Sequence, residues 1–225
     1  MKISAIIPAA GSGTRFGSNK NKLLENINGM PVIIHTLQTI SSIDAINEII
    51  ICTSDNIIDE IKNLVSKYNI SKVKQVILGG VTRQESVFKG LKTLNNPDIV
   101  IIHDGARPLI TRDIIENSIK TATEKGAAIV AVPTKDTIKR VNKENRIIET
   151  LNREELWNIQ TPQVFNYKDI LEAHIKFQGQ NFTDDSALIE ALGMPSYTVM
   201  GSYKNIKITT QEDIKIAEVF ITSRS

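Results

Sequence analysis

Short runs of β-branched residues alternate with longer segments of helical period along most of this chain. This alternation is typical of a parallel sheet whose strands are joined by crossover helices. Several runs are apolar at successive positions, as in Ile49-Ile50-Ile51, which predicts strands that helices cover on both faces. The fold class is therefore predicted to be α/β, with an open, mostly parallel twisted sheet. The predicted strands are residues 3–7, 48–52, 73–78, 98–102, 127–132, 159–165, 197–200 and 205–208.

Helices are predicted between these strands from the spacing of their apolar residues. Thr111 is placed to cap one of them, and Gly126 is placed to end it. The predicted helices are residues 31–41, 56–68, 83–94, 111–124, 183–192 and 211–222.

A strongly polar segment, residues 134–153, interrupts this alternation of predicted strands and helices. Its alternating stretches 137–141 and 146–151 flank the four residues 142–145, which predicts a β-hairpin with a four-residue turn. Because it has too few apolar residues for a core of its own, we expect it to project and to dock on a second copy of the chain. We see no repeat or linker, so residues 1–225 are predicted to form one domain, with 134–153 as a β-arm for dimerisation.

Charge and cysteine content exclude several functional classes. The 225 residues include 27 Lys and Arg against 25 Asp and Glu, a net charge of +2, which argues against bulk binding of nucleic acid. Cys52 is the only cysteine, so neither a disulfide framework nor a Cys-based zinc site is possible. The longest apolar run, 127–132, is far shorter than the ~20 residues of a membrane helix. Pro8 interrupts the apolar amino-terminal stretch, unlike a signal peptide. We expect a cytoplasmic protein that binds neither nucleic acid nor membranes.

A glycine-containing loop, residues 8–17, follows the first predicted strand directly. Ligands of open α/β sheets bind at the carboxyl ends of strands, and glycines let successive N–H groups approach a phosphate. A dinucleotide fingerprint fits poorly because Gly17 comes one residue late, and a P-loop lysine motif is absent. Two interpretations remain at this point. One is a nucleotidyltransferase loop in which Arg15 and Lys22 contact a triphosphate, and the other is a glycine turn without a ligand.

Four further stretches reach the same predicted edge of the sheet: residues 79–87, 103–108, 136–139 and 205–209. With loop 8–17 and Lys22, this ordered set closely resembles the 2-C-methyl-D-erythritol 4-phosphate cytidylyltransferases of the non-mevalonate isoprenoid pathway. The resemblance covers residues 3 to about 217. It implies a Rossmann-like fold with a protruding β-arm that forms a homodimer. It also implies a reaction that uses Mg²⁺ or another divalent cation to join CTP and methylerythritol phosphate, giving a CDP-alcohol and pyrophosphate.

Similar enzymes that act on ribitol 5-phosphate provide the alternative substrate. They typically read Asp-Ala-Val-Arg-Pro and Arg-Asn, where this chain has Asp104-Gly-Ala-Arg-Pro and Arg83-Gln84. Transfer to ribitol phosphate or another sugar-alcohol phosphate therefore stays the alternative, and a non-catalytic nucleotide-binding protein is the alternative of a different class. One departure from the family pattern is that Asn21-Lys22-Leu23 stands where the family usually reads Pro-Lys-Gln.

The resemblance also implies residue roles. Arg15 and Lys22 are the catalytic cations that stabilise charge on the α-phosphate in the transition state. Asp104 lies near the metal, directly or through water, unless it only caps a turn or pairs with Arg107. The residues implied for the acceptor phosphate are Arg107, Thr137, Arg153 and Lys207. The residues implied for the nucleotide are Pro8, Ala9, Ala10, Gly11, Gly13, Gly80, Ser86, Asp104 and Gly105.

For several residues a structural explanation competes with a functional one. Glycine at position 80 is expected because a side chain would block close approach of the base, although Gly79-Gly80 could also be a plain turn. His103 is interpreted as structural, and Cys52 as a small buried hydrophobe. Trp157 is expected to serve core or dimer packing more readily than base stacking.

Overall fold

The computed structural model describes residues 1–11 and 21–222 of the chain. The described strands are β1 Ile3–Ala9, β2 Asn26–Ile27, β3 Met30–Pro31, β4 Ile46–Thr53, β5 Val73–Leu78, β6 Ile99–Ile102, β7 Ala127–Pro133, β8 Lys139–Val141, β9 Ile147–Thr150, β10 Trp157–Asn166 and β11 Tyr197–Met200. The α-helices are α1 Val32–Ser41, α2 Ile58–Lys67, α3 Arg83–Thr93, α4 Arg112–Lys125, α5 Tyr167–Lys176, α6 Asp185–Ala191 and α7 Gln211–Thr222. Single 3₁₀ turns lie at Asp55–Ile57 and Arg153–Glu155.

The central sheet has seven strands in the order β11-β7-β10-β6-β1-β4-β5. Four neighbouring pairs are parallel, namely β1/β4, β1/β6, β4/β5 and β7/β11, whereas β10 is antiparallel to both β6 and β7. The reversal at β10 arises because the chain returns from β7 through the polar segment instead of through a crossover helix. The predicted α/β fold with a mostly parallel sheet is confirmed.

Helices cover both faces of this sheet. In β1, the side chains of Ala5 and Ile7 join an apolar layer that includes residues of α1, α2, α4 and α7. Ile6 points the other way, into a layer with residues of α3, α5 and α6. Successive side chains of a strand alternate between faces, so a central strand between two helical layers must be apolar throughout. The continuous apolar runs of the sequence have this cause.

Two local predictions were wrong, and one helix was not predicted. Residues 205–208 form no strand, although Ile208 N–H donates to the Ala106 carbonyl at 2.8 Å. Helix α5 was not predicted, since it begins at Tyr167 directly after β10 ends at Asn166, and no glycine or proline marks the boundary. The Thr111 side chain accepts no hydrogen bond at the start of α4, although Gly126 ends that helix with a φ of 90° as expected.

The predicted hairpin is present as β8 and β9. Lys139 pairs with Thr150 and Arg140 with Glu149, and the Asn142 side-chain oxygen accepts the Arg146 N–H at 2.9 Å across the turn. Every residue of both strands is exposed, so the hairpin has no core of its own. Within residues 1–11 and 21–222, no helix has both the length and the apolar character needed to cross a membrane.

Candidate active site

Loops at the carboxyl ends of β1, β5 and β6 enclose a pocket of about 350 Å³. They meet there because these three strands are parallel members of one sheet, so their carboxyl ends lie at one edge. Segment 207–209, on the way to α7, closes another side. The predicted site residues that line the pocket are Pro8, Ala9, Ala10, Gly11, Lys22, Gly80, Ser86, Asp104 and Lys207.

Other predicted site residues lie apart from this pocket wall. A Cβ on Gly105 would lie 3.2 Å from Cγ2 of Ile7, so this position faces the core. Thr137 and Arg153 are exposed, on the segment that carries the hairpin, and Nη1 of Arg153 donates to the Lys135 carbonyl at 3.0 Å. Gly13 and Arg15 lie outside the described residues. The roles assigned to these side chains stay predictions.

Asp104 follows β6 and is flanked by two cations. Its Oδ1 accepts from Nε of Arg83 at 2.9 Å, and its Oδ2 accepts from Nζ of Lys207 at 2.7 Å. Burial by itself favours the neutral acid, but the charges of Arg83 and Lys207 outweigh it and hold the pKa of Asp104 well below its usual range. Asp104 is therefore an anion at neutral pH, and its carboxylate pairs with these two side chains, whereas Arg107 contributes a backbone N–H that donates to the Asp104 carbonyl at 3.0 Å.

Arg107 is directed toward the segment that carries Lys207. Its Nη1 donates to the Asn205 carbonyl at 2.7 Å, while its buried Nε has no hydrogen-bond partner in the described part of the chain. Burial lowers the pKa of Arg107. This geometry fixes one end of the guanidinium beside segment 205–209, and contact with an acceptor phosphate stays a prediction.

The backbone of Asp104 is fixed from behind by β10. Its N–H donates to Oγ1 of Thr161 at 3.1 Å, and the same hydroxyl lies 3.1 Å from Nδ1 of His103. The other ring nitrogen of His103 lies 3.2 Å from the Arg107 carbonyl. Burial lowers the pKa of His103 to about 4, so the ring is neutral at pH 7. The structural role expected for His103 agrees with these contacts.

The turn at Gly79 and Gly80 is held by Ser86. Its Oγ accepts the Gly80 N–H at 2.9 Å and donates to the Thr82 carbonyl at 2.9 Å. A Cβ on Gly80 would lie 2.2 Å from the Cβ of Glu85. The protein's own helix α3 therefore already excludes a side chain at this position, and the close approach of a base to Gly80 stays a prediction.

Positive charge predominates on the described pocket wall. Its charged side chains are three cations, Lys22, Arg83 and Lys207, and one carboxylate, Asp104. Such a wall favours a polyanion, because the concentrated positive charge offsets the repulsion between phosphate groups. The small net charge of the whole chain thus conceals a local positive cluster.

Arg83 has a place in this wall that sequence reasoning did not assign. It begins α3 immediately after the glycine turn, and its Nη1 donates to Oδ2 of Asp185 at 2.6 Å. The available signal was its position as a cation at the carboxyl edge, three residues after Gly80. Asp185 gave no such signal because it lies 102 positions away along the chain. Other lining residues that sequence reasoning left without a role are Leu23, Val81, Thr82, Ala106 and Thr209.

The described pocket residues are better suited to a metal ion that enters bound to a substrate than to one that the protein holds permanently. In residues 1–11 and 21–222, no group of three or more His, Cys, Asp or Glu side chains is arranged to hold a metal. Asp104 is the one carboxylate on the described pocket wall. Mg²⁺ commonly combines one or two carboxylates with substrate phosphates and water, and Asp104 could supply the first of these.

Comparisons with known proteins agree on one family. A family model described as 2-C-methyl-D-erythritol 4-phosphate cytidylyltransferase matches residues 3–223. Relatives with that name include one from Halalkalibacterium halodurans, 43% identical over 226 residues and covering 100% of this chain and 99% of the relative. Another, from Alkaliphilus oremlandii, is 45% identical over 227 residues, and the match covers 99% of this chain and 96% of the relative.

The fold comparison gives the same result. A crystal structure of 4-diphosphocytidyl-2C-methyl-D-erythritol synthase from Anaerococcus prevotii superimposes with a TM-score of 0.86 at 36% identity. The match covers 98% of each chain. Sequence and fold therefore place the similarity over the whole chain, including the segments that form the pocket.

Proposed function

The chain belongs to the 2-C-methyl-D-erythritol 4-phosphate cytidylyltransferase family, and we propose that the pocket at the carboxyl edge of its sheet is where its reaction takes place. The protein is a CTP-dependent nucleotidyltransferase of isoprenoid precursor biosynthesis. It joins CTP and 2-C-methyl-D-erythritol 4-phosphate to give 4-diphosphocytidyl-2-C-methyl-D-erythritol and pyrophosphate. The observation that carries the assignment of the site is the convergence of Lys22, Lys207 and Asp104 on one pocket from separate parts of the chain.

The cytosine of CTP binds against the main chain near Ala9, Ala10 and Gly80. The N–H groups of Gly79, Gly80 and Val81 already donate to Thr53, Ser86 and Glu85 respectively. The N–H donors of this turn are thus occupied, and the groups it can offer a base are carbonyl acceptors, of which that of Gly79 also accepts from Nζ of Lys89 at 2.6 Å. A carbonyl accepts from the exocyclic amino group of cytosine, whereas uracil presents an acceptor at that position. The occupied donors of this turn therefore favour CTP over UTP.

Catalysis in this pocket depends on fixed positive charge. A phosphate oxygen of the acceptor attacks the α-phosphorus in line while pyrophosphate leaves, so negative charge builds on the α-phosphate oxygens. Arg15 and Lys22 stabilise that charge. Lys207, Arg107, Thr137 and Arg153 bind the acceptor phosphate. The acceptor needs no general base because its phosphate is ionised at neutral pH.

Asp104 would hold a divalent cation, Mg²⁺ in our proposal, directly or through water and together with triphosphate oxygens. When bound, such an ion would neutralise charge on the triphosphate and on pyrophosphate. Asp104 is suited to this position because Arg83 and Lys207 keep it ionised inside the pocket wall.

The arm, residues 134–153, serves dimerisation in this proposal. Val141, Ile147 and Ile148 are 51%, 58% and 54% exposed on the hairpin, and a partner subunit would remove them from water. A homodimer built this way carries Thr137 and Arg153 to the partner's pocket. We also propose one domain spanning residues 1–225 and a cytoplasmic location.

The reaction is tested by pyrophosphate release from CTP and Mg²⁺ with either methylerythritol phosphate or ribitol 5-phosphate as acceptor. We expect release with the first and little with the second. Release with ribitol phosphate alone would contradict the acceptor assignment, and release with neither would favour a binding protein. Lys22→Met should lower kcat by about 10²-fold or more. Lys62→Met, at an exposed position of α2, is the matched control and should keep wild-type activity.

A further inference from the structure

Arg83 joins the carboxylate of the pocket wall to a second carboxylate deeper in the fold. Its Nε donates to Asp104 at 2.9 Å, and its Nη1 donates to Asp185 at 2.6 Å. The Asp104 side chain is 9% exposed and that of Asp185 is 1% exposed. Because a guanidinium is planar and has several donors in fixed directions, one arginine can bind both carboxylates at once. A lysine ammonium at the end of a flexible stem offers no such fixed fork.

The deeper carboxylate is itself held in place. The backbone N–H of Asp185 donates to Oε1 of Gln163 at 3.1 Å, and its Oδ1 lies 3.3 Å from Nε2 of His174. The ring of His174 stacks on Phe88 of α3, with centroids 5.8 Å apart and planes 8° apart. Arg83 is therefore bound at its far end to an acceptor that sheet, α3 and α5 together immobilise.

The two cations on Asp104 differ in how they are held. Arg83 is 28% exposed and binds two buried carboxylates, whereas Lys207 is 38% exposed and its described ion pair is with Asp104 alone. Lys207 also lies in an irregular segment of the pocket wall, whereas Arg83 is the first residue of a helix. A substrate phosphate that enters the pocket competes with Asp104 for the Lys207 ammonium.

Lys207 can leave Asp104 for a substrate phosphate only if another cation stays beside that carboxylate. A buried carboxylate that loses its only counter-ion is strongly disfavoured, so before a metal ion is bound Asp104 would retain Lys207 if Arg83 were not also beside it. Resting on the proposed function of the pocket, we propose that Arg83 is a positioning residue, the permanent counter-ion of Asp104 that frees Lys207 to bind a substrate phosphate. Asp185 is the anchor that keeps Arg83 in this position.

Steady-state kinetics of pyrophosphate release test this coupling. The acceptor KM is measured at saturating CTP for wild type, Arg83→Lys, Lys207→Met and the double variant. Arg83→Lys should raise the acceptor KM about tenfold with kcat within about threefold, since Lys207 then stays on Asp104. The double variant should have an acceptor KM within about threefold of Lys207→Met alone, because both changes remove the same interaction. Arg112→Lys, at a 49% exposed position on α4, is the matched control.

Independent, multiplicative effects of Arg83→Lys and Lys207→Met on the acceptor KM would overturn the proposal, as would an unchanged KM in Arg83→Lys. A merely structural role for Arg83 would instead lower stability and kcat while KM stays constant. If Arg83→Lys fails to fold, Asp185→Asn replaces it. That variant should raise the acceptor KM in the same direction, and wild-type kinetics there would also refute the coupling. A wild-type enzyme that releases no pyrophosphate would contradict the proposed function itself.

Discussion

Gln163 offers a direct test of what holds α6, and with it Asp185, against the sheet. Its side chain is 1% exposed. Its Oε1 accepts the backbone N–H groups of Asp185 and Ser186, each at 3.1 Å, while its Nε2 donates to Asp184 at 2.7 Å. Methionine has a side chain of similar length, but Gln163→Met removes both the Oε1 acceptor and the Nε2 donor. Two buried N–H groups then lack an acceptor, and each such loss costs about 1–3 kcal/mol. We expect the free energy of unfolding to fall by about 3 kcal/mol or more.

Urea denaturation measures this change, provided that the slope of the transition is the same in both proteins. For a chain of this size, the midpoint of thermal unfolding should fall by roughly 6–12 °C. The matched control is Gln75→Met on the edge strand β5, where the glutamine is exposed and the change should stay within about 0.5 kcal/mol. A loss below about 1 kcal/mol in Gln163→Met would refute the reasoning, because it would mean that water or a relaxed α6 satisfies these groups.

Three further predictions concern the arm, the cysteine and the metal. Arg153→Ala should raise the KM for methylerythritol phosphate about tenfold or more and leave the KM for CTP nearly unchanged; equal losses for both substrates would count against an acceptor role. Burial raises the pKa of the Cys52 thiol to about 12, so at pH 8 alkylation should be slow and should follow urea unfolding, whereas fast labelling of the native protein would disprove burial. Chelation by EDTA should stop pyrophosphate release and excess Mg²⁺ should restore it, with activity that resists EDTA as the contrary outcome.

The fold was largely predictable because its central strands are covered on both sides. The central strands β6 at Ile99–Ile102 and β7 at Ala127–Pro133 each lie within one residue of the predicted bounds, 98–102 and 127–132. The pattern cannot show that β10 runs antiparallel, since direction depends on how the chain returns from β7 and not on the residues of the strand. Helix α5 was not predicted because it begins at Tyr167, the residue after the end of β10, and no glycine or proline marks the boundary.

The candidate site was predictable only for those residues that lie in a recognisable local sequence motif. Lys22, Gly80 and Lys207 each lie in a local motif, and the structure brings all three to the pocket. The pair of Arg83 with Asp185 could not be predicted, because a contact between residues 102 positions apart follows from the packing of α6 on the sheet. A sequence motif can thus identify groups that face a substrate, whereas the residues that hold those groups from behind require the fold.

A pocket built to bind polyanions must also be stable when it contains none. Two unit charges of like sign ~4 Å apart repel by about 4 kcal/mol at an effective dielectric constant of ~20, so clustered cations carry a cost in the free protein. Asp104 reduces that cost by binding Arg83 and Lys207 at the same time. When substrate phosphates arrive, they can take over one of these cations while the buried pair of Arg83 and Asp104 remains. The same carboxylate therefore stabilises the empty pocket and leaves Lys207, the more exposed of its two bound cations, available for the reaction.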